Sequence, residues 1–342
     1  MRRYDREVLR LFSPVRLFIA GLLVAAVAVA LWILPTESYI FLPNTAHPVA
    51  PLVEVKGGKD PKDGGIYYVD VLVRKATIVE RLFPSLREGA TVVPAEQVRP
   101  PGVSEKQRRR EELQEMKMSQ RVAAAVALRE LGYKVVAKPI GARIEFVDPE
   151  APAAGKLLPG DMITSAGGKQ VTGPAGLRRA IRASGTARDV LLIVKRGDKQ
   201  LQPRIRPTRG PQGTPMIGVI VSQAADIKLP IPVKIDTDNV GGPSAGLAFA
   251  LDLLEELGRD VDNGNRIAVT GALELDGTVG EIGGVKQKTV GVEQAGIKVF
   301  LVPAGDNAAE ARRYADGIRI VPVTSFQQAL RRLATLAPPR QD

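Results

Sequence analysis

The hydrophobic pattern of the chain opens on an uncharged run. From Leu17 to Thr36 the sequence LFIAGLLVAAVAVALWILPT holds no Asp, Glu, Lys or Arg over 20 residues. At a helical rise of about 1.5 Å per residue it reaches roughly 30 Å, the thickness of a bilayer core. Arg2, Arg3, Arg6, Arg10 and Arg16 precede it, and the positive-inside rule then sends the rest of the chain to the outer side. Ala-Val-Ala triplets at 26–30 offer a cleaved signal peptide as the alternative. The apolar run continues through Leu31, Trp32, Ile33 and Leu34, however, which does not suit a cleavage site. The pattern predicts a cytoplasmic basic segment and an uncleaved transmembrane anchor over 1–36, single-pass in a bacterial cell membrane, with the later domains extracytoplasmic.

Beyond the anchor, short apolar runs (Tyr39–Leu42, Pro51–Val55, Ile66–Val73) alternate with Gly, Pro and Asp breakers and predict a β-rich juxtamembrane region. A break at Val98-Arg-Pro-Pro-Gly-Val103 precedes the charge run Glu105–Glu112, which reads as a solvated helix face. Met118, Val122, Ala125 and Leu128 then predict an amphipathic helix over Met116–Leu131, stopped at Gly132. From Tyr133 to about Pro207 the pattern gives strands at Lys134–Lys138 and Ile144–Val147, a Pro-Gly-Asp turn at 159–161, a helix at Pro174–Ala183 and a strand at Asp189–Val194. After Pro215, strands around Ile217–Val221, Pro232–Ile235, Ile267–Leu275, Lys298–Val302 and Arg319–Val323 alternate with helices. The last helix, Ser325–Leu336, ends at Pro338-Pro339. The expected fold is α+β and multidomain, with boundaries at 1–36, 37–130, 131–208 and 209–342.

Composition narrows the chemistry. At 342 residues and 44% hydrophobic, the chain can bury one or two sizeable cores, and its length suggests two or three domains. A net charge of +11 suits an anionic surface, and the absence of a nucleic-acid-binding motif favours the membrane over nucleic acid. There is no cysteine, and His47, the single histidine, is far in sequence from every other motif. Thiol chemistry, Cys/His metal sites and a Ser-His-Asp triad are thereby set aside, and no metal or cofactor is expected. The Gly-Lys pairs at 58–59, 155–156 and 168–169 are followed by Asp60, Leu157 and Gln170, so none forms a nucleotide-binding Walker A loop.

Two later segments carry candidate chemistry. Asn239-Val-Gly-Gly-Pro-Ser-Ala-Gly-Leu-Ala-Phe-Ala-Leu251 places Ser244 at the start of a helix, after Gly241 and Gly242, which permit a tight turn. Such a serine can be an N-cap, or a nucleophile beside amides that hold an oxyanion. The second segment, Val269 to Thr289, reads as a strand reaching Thr270, a hairpin around Asp276-Gly277, a turn at Gly283-Gly284 and a helix carrying Lys286 and Lys288. Two positions apart at about 100° per residue, the lysines point in different directions. A lysine serves as a general base only if burial and a helix N-terminus disfavour its charge; otherwise it is a surface lysine.

These segments resemble the proteolytic domain of the Lon family: Gly-Pro-Ser-Ala-Gly, then Thr-Gly…Val-Gly-x-Ile-Gly-Gly-Val-x-x-Lys, over about Pro215–Leu336. The resemblance implies a serine endopeptidase with Ser244 as nucleophile and Lys288 as its base. It also implies Thr270 as a hydrogen-bond partner of the lysine, with Ala245 and Gly242 supporting the site. Ala151-Pro-Ala-Ala…Leu-Leu-Pro-Gly-Asp-Met-Ile163 resembles a bacterial PDZ domain. That likeness implies peptide docking by strand addition, with the loop holding Gly141, Ala142 and Arg143 receiving the peptide carboxylate. The layout is similar to the membrane-bound YlbL-like Lon proteases that lack an ATPase module. An ATP-independent enzyme acting on exposed or unfolded extracytoplasmic polypeptides is expected, able to assemble as a Lon-like homo-oligomeric ring. Two departures matter: Gly241 and Ala272 stand where ATP-dependent Lon enzymes carry acidic residues.

Overall fold

The computed structural model describes residues 14–58, 64–98, 104–210, 213–238 and 240–338. The basic segment before residue 14, the break at 99–103, Asn239 and Pro339 lie outside the described residues. The chain divides into two units: up to Pro43 with Leu72–Val98, and Asn44–Val71 with the chain from Arg99 onward.

In the first unit a helix covers Pro14–Ile33, and strand Pro35–Pro43 lies between Val71–Thr77 and Thr91–Pro94. Ile40, Ala76 and Ala90 form its small core. The helix corrects the expected anchor. Among the described residues no helix is long and apolar enough to cross a membrane. The single-pass topology, the extracytoplasmic placement of the later domains and the membrane-bound subgroup are overturned with it.

The second unit contains a five-stranded sheet in the order His47–Pro48, Gly65–Tyr68, Arg266–Val269, Val299–Pro303, Arg319–Val323. Its last four strands are parallel, with Tyr68 opposite Val269, Val269 opposite Leu301 and Leu301 opposite Val321. Part of the region expected to stand apart as a juxtamembrane module therefore builds this sheet. The central strand Arg266–Val269 is buried at Ile267, Ala268 and Val269 and needs a neighbour on each edge; residues 65–68 supply one. The buried helix Gly246–Glu256 packs on the sheet through Leu247, Phe249 and Leu254, with Tyr68 against the Phe249 ring at 6.2 Å.

The charge run and the amphipathic stretch are one helix, Glu105–Glu130, started by Ser104, whose hydroxyl accepts from the Gln107 amide. Its second half is buried at every position from Val122 to Leu128 and packs on Gly246–Glu256. In its first half Arg108 and Arg109 both pair with Glu112 along the helix.

The compact region after Tyr133 is a sheet in the order Lys199–Leu201, Val190–Arg196, Met162–Ala166, Val136–Val147, Val219–Lys228, with helix Pro174–Ser184 against it. It has its own core of Ile144, Leu157, Ile163, Leu192 and Ile205. The Pro-Gly-Asp turn is held by Asp161, 1% exposed, whose two oxygens accept from Arg196 Nε and Nη2, both at 2.7 Å. Two expectations change here. The strands predicted at 134–138 and 144–147 are one strand, which puts Gly141, Ala142 and Arg143 in a strand interior rather than a loop. They pair with Ala224, Gln223 and Ser222 on one edge, and Ala142 and Arg143 with Ile163 and Met162 on the other. Strand Val219–Lys228, expected beyond the boundary at 208, completes this sheet over its full length.

Candidate active site

Parallel strands with helical crossovers expose functional groups at their C-terminal ends. Thr270 follows strand Arg266–Val269 directly, and Asp70 stands two residues past the strand paired beside it. Between Val233–Ile235 and the helix Gly246–Glu256 the chain turns through Gly242, whose φ of 83° only glycine adopts without strain. Glycine is also required at 241, where a Cβ would lie 2.7 Å from Glu112 Cβ. The Glu112 carbonyl accepts from the Gly242 amide at 3.0 Å, and Ser119 Oγ donates to the Pro243 carbonyl at 3.0 Å. Helix Glu105–Glu130 thus forms the wall against which the 241–244 turn is built.

Ser244 does not cap the following helix. The cap position is Ala245, with no side-chain cap, and the helix begins at Gly246. The partner of Ser244 Oγ is Lys288 Nζ, 2.7 Å away. Nζ also lies 3.1 Å from Thr270 Oγ1, and the Thr270 hydroxyl donates to the Ser244 carbonyl at 3.1 Å. The Gly271 amide reaches the same carbonyl at 2.7 Å. Among the described residues the Ser244 and Ala245 amides carry no hydrogen bond, so both remain available to an oxyanion.

Lys288 sits in the first turn of helix Val285–Gln294, which starts from Gly284 in the left-handed region. It is 3% exposed, and burial pushes its pKa down to about 7, with Asp70 pulling the other way. A neutral amine there can accept a hydrogen bond from the Ser244 hydroxyl and donate one to Thr270 Oγ1. Lys286 points elsewhere, its Nζ 5.5 Å from the Tyr314 ring centroid. Helix Val285–Gln294 is set against the sheet by Gly291, where a Cβ would stand 1.9 Å from the Asn44 carbonyl oxygen.

Several contributors were not found by sequence reasoning. Asp70 accepts from Asn44 Nδ2 at 3.0 Å and lies 3.9 Å from His47 Nε2. His47, remote in sequence, is thus a neighbour of the one carboxylate that acts on Lys288. The pattern Tyr67-Tyr68-Val69-Asp70, a strand ending on a carboxylate, was the available signal. Ser119 and the Glu112 carbonyl gave none. A cleft that reaches Pro243, the neighbour of Ser244, is lined also by Ser119, Arg178, Ala272, Glu274 and Glu281.

Residues 220–335 match the family model of the Lon protease (S16) C-terminal proteolytic domain, and residues 114–206 match that of the PDZ domain. Among curated relatives, Lon protease 2 of Bacillus subtilis is 34% identical over 116 residues, 34% of this chain and 20% of its own. Lon protease 1 of Sorangium cellulosum is 42% identical over 89 residues, 26% of this chain and 10% of its own. The matches thus span a fifth or less of these relatives' length. A solved PDZ domain of an SdrC-like protein from Listeria monocytogenes is 30% identical, covering 24% of this chain and 87% of that one, with a TM-score of 0.23. None of these likenesses bears on an ATPase module, nor on the ATP-independence expected from the missing Walker A loop.

Proposed function

We propose that this chain, which carries a Lon-type serine-protease domain, hydrolyses peptide bonds in polypeptides with Ser244 as nucleophile and Lys288 as general base. The reading rests on one observation above all, the 2.7 Å approach of a buried lysine to a serine hydroxyl inside the matched domain. In the first step Ser244 Oγ attacks the scissile carbonyl carbon as its proton passes to neutral Lys288. The carbonyl oxygen becomes an oxyanion facing the Ser244 and Ala245 amides. Collapse of the tetrahedral intermediate expels the amine, which takes the proton back from Lys288, and an acyl-enzyme on Ser244 remains. Water then attacks the ester, giving its proton to Lys288, and as the second tetrahedral intermediate collapses Ser244 Oγ takes that proton back and the acid product leaves.

Thr270 orients both partners, because its hydroxyl accepts from Nζ and donates to the Ser244 backbone carbonyl. The full chain is expected to degrade fluorescein-labelled casein and to be labelled by a peptide boronate at Ser244. Ser244→Ala and Lys288→Ala variants should keep the wild-type circular dichroism and lose both signals. Undiminished casein hydrolysis by either folded variant would refute the assignment.

A further inference from the structure

Glu274 is a buried carboxylate that does not touch the dyad, standing four residues beyond Thr270. It follows strand Ala272–Leu273, which with Val279–Gly280 forms the hairpin joining Thr270 to the helix of Lys288. Both of its oxygens bond into the PDZ domain. Oε2 accepts from the Ala175 amide at 2.9 Å and Oε1 from Arg178 Nη2 at 2.7 Å, both on helix Pro174–Ser184.

That helix has no cap of its own. Gly173 occupies the cap position without a side chain, and Pro174 brings no amide, so the Ala175 amide is the first that needs an acceptor. A Cβ at Gly173 would meet Gln223 Oε1 at 2.4 Å, so the helix cannot supply its own cap unless Gln223 moves. The carboxylate that completes the helix comes instead from the proteolytic domain, and its charge suits the positive end of the helix dipole. The next residue is held too: Arg129 Nη1 donates to the Leu275 carbonyl at 3.2 Å. On its other side the hairpin is tied to the C-terminal segment, Phe326 to the Gly277 carbonyl at 2.8 Å and Val279 to the Thr324 carbonyl at 3.0 Å.

The base of the hairpin is the dyad itself, because Thr270 and Gly271 both bond the Ser244 carbonyl. We propose that Glu274 is a positioning residue: by capping the PDZ helix it fixes the hairpin, and with it the spacing of Thr270 and Lys288 about Ser244. The PDZ domain is then a structural part of the catalytic apparatus. This inference rests on the reading of Ser244 and Lys288 as a proteolytic dyad.

The test uses the full chain, fluorescein-labelled unfolded casein and amide hydrogen exchange over 270–280. Glu274→Ala should lower kcat by about 10-fold or more with KM within about 2-fold, since small misplacements of reacting groups cost rate rather than binding. It should also raise the midpoint of the acid limb of kcat/KM, because a loosened Lys288 regains water. Glu274→Gln, which keeps an acceptor for Ala175, should lose less. The triple variant Gly173→Ser, Gln223→Ala, Glu274→Ala gives the helix its own hydroxyl cap. It should recover thermal stability but neither kcat nor slow exchange in the hairpin. Wild-type kcat and acid limb in Glu274→Ala, or recovery of kcat together with stability in the triple variant, would overturn the proposal. Faster hairpin exchange in Glu274→Ala alongside a wild-type chain that leaves casein intact would support the link and strike only the proteolytic reading.

Discussion

The Thr270 hydroxyl bridges the two halves of the site: it stands 3.1 Å from the Ser244 carbonyl oxygen and 3.1 Å from Lys288 Nζ. Thr270 is itself 1% exposed, so a group that replaces the hydroxyl cannot recruit bulk water in its place. Thr270→Val, nearly isosteric, removes both bonds and should cost about 2–3 kcal/mol of transition-state stabilisation, roughly 30- to 150-fold in kcat/KM. Thr270→Ser should retain most of the activity. Steady-state kinetics on casein checks both, and an undiminished kcat/KM in Thr270→Val would show that the hydroxyl does not matter.

The burial of Lys288 sets two pH dependences. Its folded pKa of about 7 lies below the ordinary lysine value of 10.5, so the folded chain binds fewer protons than the unfolded one between these limits. The cost of burial is therefore present in full below pH 7 and relieved as pH rises towards 10.5. Lys288→Met should be more stable than wild type by on the order of 2–4 kcal/mol at pH 6, with the gain fading above pH 9. Denaturant unfolding at several pH values measures this. With the neutral amine as the proposed base, the kcat/KM of the wild type should rise with pH about a midpoint near 7.

Asp70 opposes that shift. Removing its charge in Asp70→Asn should move the acid-limb midpoint of kcat/KM below that of wild type. The Asn44 amide can still donate to the new side-chain oxygen, so the fold should survive. A pH–rate profile with an unmoved midpoint would mean that Asp70 does not act on the base. The same experiment tests how the site manages with Gly241 and Ala272 where ATP-dependent Lon enzymes carry acidic residues: the carboxylate near Lys288 follows the strand Gly65–Tyr68.

Gly291→Ala probes the packing of the lysine helix. A Cβ there would lie 1.9 Å from the Asn44 carbonyl oxygen and 3.3 Å from Val69 Cγ2, both on the segment that joins the sheet from before residue 72. Overpacking against backbone should destabilise by about 1–3 kcal/mol and displace Lys288, one turn earlier on the helix. Lower stability with a proportionate fall in kcat is expected. Wild-type stability would argue that residues 44–71 are not docked as described.

Strong local signals in the sequence located most elements within a few residues. Helix Pro174–Ser184, the Asp276-Gly277 hairpin and helix Val285–Gln294 have turn residues and periodicity that act over less than a dozen positions. The same local view misread the apolar N-terminal run as an anchor, whereas among the described residues no helix is long and apolar enough to cross a membrane. It also divided Glu105–Glu130 into a charged face and an amphipathic helix, although the backbone is one continuous helix with a solvated first half and a buried second.

By itself, the sequence determined which residue types were on hand for the chemistry. The lack of cysteine and the single histidine set thiol and histidine chemistry aside, and the resemblance of the Gly-Pro-Ser-Ala-Gly and Thr-Gly…Lys elements to the Lon proteolytic domain singled out Ser244, Thr270 and Lys288. Only the tertiary structure decided that these side chains meet at 2.7 and 3.1 Å, that Ser244 leaves its helix uncapped, and that Asp70 and Glu274 stand where they do. The reason is physical. Parallel pairing of Tyr68 with Val269, and a helix cap supplied from 99 positions away, leave no periodicity in the chain, because their partners are joined by folding and not by sequence.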